Sequence, residues 1–565
     1  MGGINLSSLQ TYNQNATLGD FLFDCLKKEG ITHIFGIPGD YNFTLLDTLE
    51  NRNDMTFINA KNELNAGYAA DGYAREKGIA AMITTFGVGE MSACNAVAGA
   101  YSESVPIIHI VGSPKSGDQQ SKKLMHHTLM DGDYDVFRKV YENITEYTAI
   151  LTPENAAWEI PAAIMTAKKT KKPVYLSVSI DLVTKPIQKI SGQQNEPVKT
   201  NDESLKAAIN HAGKLLENAN NAAILTDRDT MRFGLQKQVK EFAEHAKLPV
   251  AQTMQGKGGF EETHPLYIGM YNGQFGSEAV KRIIEEADCL FIIGPVWSDV
   301  NTANFTAELN QENIIEIHPG SVKVGQAQYM NILAGDMLLS LMELQYQNTE
   351  PAVKPSFPYE RTSFEREQLL EARTYYPIIK NSLKENDIVV AETGTFSYGI
   401  SQIQLPKGAS YIAQGGWQSI GYGIPAAFGA CMASGNRRVL LFTGDGSLQL
   451  TVQEISSMLE NDCKPIIFIL NNKGYTIEKY LNVKTKNQDY NNIPEWKYEK
   501  LTEIFGEGAL YKSAETNGEL EDAISAAEDA DRLTIIEMIV KDPLDGPEYL
   551  VKMRSFLKEQ EKQQA

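Results

Sequence analysis

Two short polar runs, Thr443-Gly444-Asp445-Gly446-Ser447 and Asn471-Asn472-Lys473-Gly474, stand where apolar stretches end, and together they hold the residue types needed to grip a diphosphate through a divalent cation. Residues 437–443 (RRVLLFT) and 464–470 (KPIIFIL) read as buried strands, with Asp445 just past the first and Asn472 just past the second. Magnesium takes near-octahedral oxygen ligands and draws several of them from phosphate and water. Asp445 offers a carboxylate oxygen, Asn472 an amide oxygen and Gly474 a main-chain carbonyl. Gly444 and Gly446 let the main chain come close to phosphate. The run after Ser447, LQLTVQEISSMLEN, reads as a helix whose N-terminal amides face the anion. Either half alone reads equally well as an ordinary turn. The pairing, with one helix and one strand between the halves, is what points to a bound cofactor.

Other residues could move protons. Glu63 opens a helix-like run with small residues at Ala66, Gly67, Ala69 and Ala70, against which a flat ring could pack. A carboxylate in a first helical turn is also an ordinary stabilising feature. His126 and His127 are adjacent in a chain that holds only 8 histidines, and imidazole titrates near neutrality. The surrounding HHTLMDGD also reads as a solvated loop, and Asp40, after Pro38-Gly39, as a turn residue.

The elements that must position these groups form three alternating α/β blocks. Apolar strands are predicted at 32–36, 80–85, 107–111 and 174–178, then at 222–225, 250–252, 289–293 and 314–317, and finally at 388–391, 411–413, 439–443, 466–470 and 535–540. A helix is predicted around 363–384. Strands alternating with helices give doubly wound, mainly parallel sheets, and ligands of such sheets bind at the strand ends. Polar stretches at 189–202 and 345–358 read as linkers, which sets domains at 5–188, 203–344 and 359–556. The tail 557–565 has lost apolar spacing and is expected to fray.

The 565 residues are too many for one core. A net charge of -20 argues against a nucleic-acid partner. The 5 cysteines show no paired spacing for zinc or a disulfide framework. No apolar run reaches membrane-spanning length, and the expected compartment is the cytoplasm.

Taken together, FGIPGDYNFTLLD (35–47), NELNAGYAADGYAR (62–75), FGVGEMSACNAVAGAYSE (86–103), HHTLMDGD (126–133), the paired diphosphate signature and GYTIEK (474–479) resemble the thiamine diphosphate-dependent 2-oxo acid decarboxylases, in the pyruvate and indolepyruvate decarboxylase branch. The resemblance covers nearly the whole chain. It implies thiamine diphosphate and Mg2+ as cofactors, with Asp445, Asn472 and Gly474 on the metal. It also implies contacts from Glu63, Thr85, Thr395, Gln418, Ile420, Gly444, Asp445, Gly446, Ser447, Asn472 and Gly474 to the cofactor. Glu63 matches the glutamate that hydrogen-bonds the aminopyrimidine ring and promotes formation of the thiazolium ylid. Asp40, His126, His127 and Glu478 match the polar groups that handle the substrate carboxylate and the proton given to the enamine. Because Glu478 belongs to a different block from the other three, the resemblance implies a homodimer with shared active sites, doubled to a tetramer.

The resemblance has departures. Gln418 stands where a glycine is common, and Asn482-Val483-Lys484 where relatives often carry His-Gly-Pro. Asp229 falls near a position that is cysteine in some substrate-activated relatives, so cysteine-based activation is not expected. Ser397 matches a position on the substrate-tail side that is aromatic in some relatives, and Ile477 one that is valine in some. Room at Ser397 and crowding at Ile477 lead to an expected substrate range of pyruvate and unbranched or aromatic 2-oxo acids such as phenylpyruvate and indolepyruvate. Two alternatives are an acetolactate synthase-like carboligase and a non-catalytic assembly protein of the same fold. The histidine pair, Glu478 and the lack of a dinucleotide loop in the middle block speak against the first, and the intact Glu63, Asp445 and Asn472 against the second.

Overall fold

The computed structural model describes residues 16–188, 198–348, 357–361, 363–485 and 488–564. Three sheets account for its strands. The first holds β1 (His33–Gly36), β2 (Thr56–Asn59), β3 (Ala80–Thr85), β4 (Ile107–Ser113), β5 (Tyr147–Leu151) and β6 (Val174–Ser179) in the order β2-β1-β3-β4-β6-β5, all parallel. The second holds β7 (Ala222–Thr226), β8 (Val250–Gln252), β9 (Tyr267–Met270), β10 (Cys289–Ile293), β11 (Ile314–His318), β12 (Ser321–Val324) and β13 (Ala327–Met330) in the order β13-β12-β11-β10-β7-β8-β9, with β12 and β13 antiparallel. The third holds β14 (Ile388–Ala391), β15 (Ser410–Ile412), β16 (Val439–Gly444), β17 (Ile466–Asn471), β18 (Leu510–Ala514) and β19 (Thr534–Ile539) in the order β15-β14-β16-β17-β19-β18, all parallel. A parallel strand covered on both faces must be apolar throughout. β3, β4, β6 and β17 accordingly bury every residue.

By its contacts the chain divides into two compact units. One contains the first sheet together with Ile424–Asn436 and Thr451–Cys463. The other contains the second and third sheets. Among the described residues no helix is long and apolar enough to cross a membrane.

Three expectations are corrected. The helix predicted around 363–384 is limited to Ala372–Ser382, because a capping box between Glu371 and Thr374 starts it there, and Leu369 is drawn into a bridge with Thr516 instead. The run after Ser447 is two helices, Asp445–Thr451 and Glu454–Glu460, and the first already begins at the acidic residue. The tail continues as a helix, Glu548–Gln564, anchored by buried Tyr549, Leu550 and Met553, and its residue Ala565 lies outside the described residues. Parts of both predicted linkers, 189–197 and 349–356, also lie outside them.

The helix that carries Glu63, Glu63–Lys77, is started by Asn62, whose Oδ1 accepts the Asn65 N–H at 2.8 Å, and is stopped by Gly78 at φ +89°. Its small residues are used for close packing on the helix Gly423–Ser434. A methyl at Gly429 would stand 1.8 Å from the Ala69 carbonyl oxygen, and one at Gly72 would stand 2.1 Å from that of Ala426. Main chain cannot rotate out of the way, so Gly429→Ala should destabilise this unit by about 1–3 kcal/mol or more. Scanning calorimetry should show its transition moved to lower temperature, and an unchanged transition would contradict this packing.

Candidate active site

Asp445 follows β16 and is 2% exposed. Its Oδ1 accepts the Gly446 N–H at 2.7 Å, and its Oδ2 accepts the N–H groups of Asn472 at 3.1 Å and Lys473 at 2.6 Å, which tie the end of β16 to the end of β17. Burial pushes its carboxyl up to about 6 against the opposing pull of these amides. Asn472 donates its Nδ2 to Thr476 Oγ1 at 2.8 Å, so its amide oxygen is the end turned away from that bond. The Gly474 carbonyl accepts one main-chain bond, from Thr476 N–H at 3.0 Å.

These residues fit a metal-held diphosphate. The donor set is all oxygen, as a hard divalent cation requires. A Cβ built on Gly444 or on Gly394 meets nothing within 4 Å, so there is open space at the ends of both β14 and β16. Beside that space the buried Thr393 Oγ1 has no partner, and Ser447 Oγ reaches the Thr393 carbonyl at 3.5 Å. Thr395 is buried immediately after Gly394.

In the same unit, Ser397 donates its hydroxyl back to the Gly394 carbonyl at 2.8 Å. Ile477 is half-buried in an apolar cluster that also includes Tyr398, and Glu478 beside it is exposed. Gln418 adopts φ +54° and donates Nε2 to the Gly415 carbonyl at 3.0 Å. Ile420 is exposed. The loop after it is pinned by Glu392, a fully buried acid that the sequence reading did not single out. Its carboxylate accepts the N–H groups of Gly423 at 2.7 Å and Thr393 at 2.9 Å, and burial pushes it up to about 8. The available signal was an acid ending an apolar strand, as Asp445 does.

The other unit brings Asp40, His126 and His127 together. His126 Nε2 lies 2.6 Å from Asp40 Oδ2, and His127 Nε2 lies 3.8 Å from Asp40 Oδ1. All three are partly open to solvent, at 42%, 54% and 32% for the respective side chains. Tyr41, which the sequence reading also missed, stacks on His126 at 4.9 Å and places its hydroxyl 3.3 Å from Nδ1, so both ring nitrogens of that imidazole have partners. Burial and the Asp40 charge push the Tyr41 phenol up to about 12, and it acts there as a neutral donor. Glu63 is half-buried at its helix start, with Oε1 3.2 Å from where a Cβ on Gly89 would stand. Thr85 Oγ1 is buried and without a partner. Glu478 belongs to the other unit.

Comparison with known proteins places this geometry. Thiamine pyrophosphate enzyme families match three stretches: the N-terminal TPP binding domain over residues 16–135, the central domain over 209–344 and the C-terminal TPP binding domain over 392–538. The chain is 40% identical over 508 residues to a pyruvate decarboxylase of Aspergillus fumigatus, covering 88% of each chain. It is 38% identical over 551 residues to pyruvate decarboxylase isozyme 2 of Saccharomyces cerevisiae, covering 95% of this chain and 97% of the relative. Against a pyruvate decarboxylase of Kluyveromyces lactis it is 37% identical over 551 residues with the same coverage. With all three domains matched and the strand-end cradle in place, the chain belongs to the thiamine pyrophosphate enzyme family.

Proposed function

We propose that the chain is a non-oxidative 2-oxo acid decarboxylase that releases an aldehyde and carbon dioxide. The observation that carries this reading is the Asp40–His126–His127 cluster, a ready proton relay, in a chain that also has the diphosphate cradle. The curated names of the similar proteins support it.

When bound, thiamine diphosphate supplies a nucleophilic carbon and a sink for the electrons left behind as carbon dioxide departs. The cation is magnesium, held by Asp445, Asn472 and Gly474, with Gly444, Gly446, Ser447 and Thr395 around the diphosphate. Glu63 would bind the aminopyrimidine end through its carboxyl, with Thr85 on the same side and Gln418 and Ile420 supporting the rings. Asp40 orients the His126 imidazole through the 2.6 Å contact, so His126 and His127 can deliver the proton that the product carbon needs. Glu478 faces the substrate carboxylate.

Because Glu478 lies in a different unit from the relay, we assign a homodimer with shared sites, paired into a tetramer. The free cysteines suit the reducing cytoplasm. The domains are 5–188, 203–344 and 359–556, the first and last gripping opposite ends of the cofactor.

Two experiments test these assignments. Glu63→Gln should slow exchange of the cofactor C2 proton by about a hundredfold or more, whereas Glu478→Gln should leave that exchange nearly unchanged and depress aldehyde release. NMR-monitored exchange measures both, and equal defects would mean that the roles are divided wrongly. For substrate range, Ser397 leaves room at the tail side and Ile477 crowds the carbon next to the reacting centre. The expected order is pyruvate and phenylpyruvate, and indolepyruvate with them, ahead of 2-oxoisovalerate. Ile477→Val should improve the branched acid by up to about 1–3 kcal/mol in relative kcat/KM. A wild-type preference for 2-oxoisovalerate over both others would refute this pocket.

A further inference from the structure

The turn between β3 and the helix Val88–Ser102 supplies main chain against which two of the proton-handling groups rest. A methyl at Gly87, which has φ +64°, would stand 1.8 Å from the His127 carbonyl oxygen. One at Gly89 would stand 3.2 Å from Glu63 Oε1 and 3.0 Å from Thr85 Cγ2. A small shift of this turn therefore displaces either His127 or Glu63.

Glu90 holds the turn from behind. It is 0% exposed. Its Oε1 accepts the Gly87 N–H at 2.7 Å, its Oε2 accepts the Tyr175 hydroxyl at 2.8 Å, and its main-chain carbonyl accepts the Tyr141 hydroxyl. Tyr141 and Tyr175 stack at 4.8 Å and both pack on His109, whose Nε2 lies 2.9 Å from Thr84 Oγ1 on β3. One buried network thus runs from the end of β3 through β4 and β6 to a single carboxyl. Among the described residues no lysine or arginine takes part in it, and burial pushes the Glu90 carboxyl up to about 7.

A buried acid without a cationic partner is an expensive way to cap a helix, since a serine or aspartate at the cap position does so near the surface. Here the cap position is Gly87, which has no side chain to offer, and only the carboxyl three residues on reaches its N–H.

We propose that Glu90 is a positioning residue of the reaction: by holding the Gly87 N–H it fixes the turn that sets the Glu63 carboxyl and the His127 main chain in place. The proposal rests on the roles given to Glu63 and His127 above. Its test uses wild type, Glu90→Ala, Glu90→Gln, Tyr175→Phe and Glu63→Gln. Three quantities are read: hydrogen exchange by mass spectrometry of the peptide containing Gly87–Gly89 in the cofactor-free chain, C2-proton exchange in the holoenzyme, and kcat and KM for pyruvate.

Glu90→Ala should speed amide exchange in that turn and lower both C2 exchange and kcat by about 10-fold to 100-fold, the scale of a small misplacement, with little change in KM. Glu90→Gln keeps an oxygen that can accept the Gly87 N–H and should restore most of both losses. Should Glu90→Ala fail to fold, Tyr175→Phe removes one hold on the carboxyl and should show a smaller loss in the same readouts, and wild-type values there would overturn the proposal. Wild-type C2 exchange and kcat in Glu90→Ala, beside a slowed Glu63→Gln, would overturn it while leaving the Glu63 assignment standing. Glu90→Gln as impaired as Glu90→Ala would also overturn it. Normal C2 exchange in Glu63→Gln would overturn the Glu63 assignment and this proposal with it.

Discussion

A buried carboxylate surrounded by main-chain amides, Asp445, is the constraint that joins the ends of two central strands of the third sheet. The three amide contacts of Asp445 draw together the ends of β16 and β17, and they bring Asn472 and Gly474 within the same turn of chain. Burial disfavours the charged form of this acid and raises its carboxyl pKa, and the amides offset only part of that. In the proposed site a divalent cation shared with a diphosphate would complete the charge balance, and there is open space at Gly394 and Gly444.

The same device recurs. Glu392 at the end of β14 gathers the main-chain N–H groups of Thr393 and Gly423, and Glu90 gathers the Gly87 N–H just past β3. In each case a buried acid holds a loop that leaves the carboxyl end of a parallel strand. Such loops have few main-chain partners of their own, and an acid beneath them fixes their path more tightly than surface contacts do. The structure therefore places three buried acids, Asp445, Glu392 and Glu90, at or just past the ends of parallel strands.

The buried strands were legible because parallel strands covered on both faces leave continuous apolar runs, and β3, β8, β10 and β14 stand at the bounds read from sequence. Of the edge strands only β15 was foreseen, and the buried edge strand β9 and the interior β12 were missed as well. β2, with one buried residue, β5 and β18 are half-exposed and mixed in composition, and β13 buries none of its residues; none of the four was foreseen. The helix expected around 363–384 is shorter than read, because helical composition at 363–371 yields to a tertiary bridge at Leu369. At the site, Asp445 and Asn472 were legible from strand-end chemistry. Asp40 and His126, separated by 86 residues, were joined in advance only through family resemblance, since local spacing carries no information about such a contact. Glu392 and Glu90 were passed over because their importance lies in burial and in the distant amides and phenols they meet.

The claim that Asp445 acts through a shared cation is tested most directly by cofactor retention. Wild type and Asp445→Asn would be loaded with thiamine diphosphate, passed through gel filtration with either magnesium or a chelator, and assayed for bound cofactor, with circular dichroism to check the fold. The account predicts retention by wild type in magnesium alone and loss from Asp445→Asn in both buffers with the fold intact. Full retention by folded Asp445→Asn, or by wild type in the chelator, would contradict it.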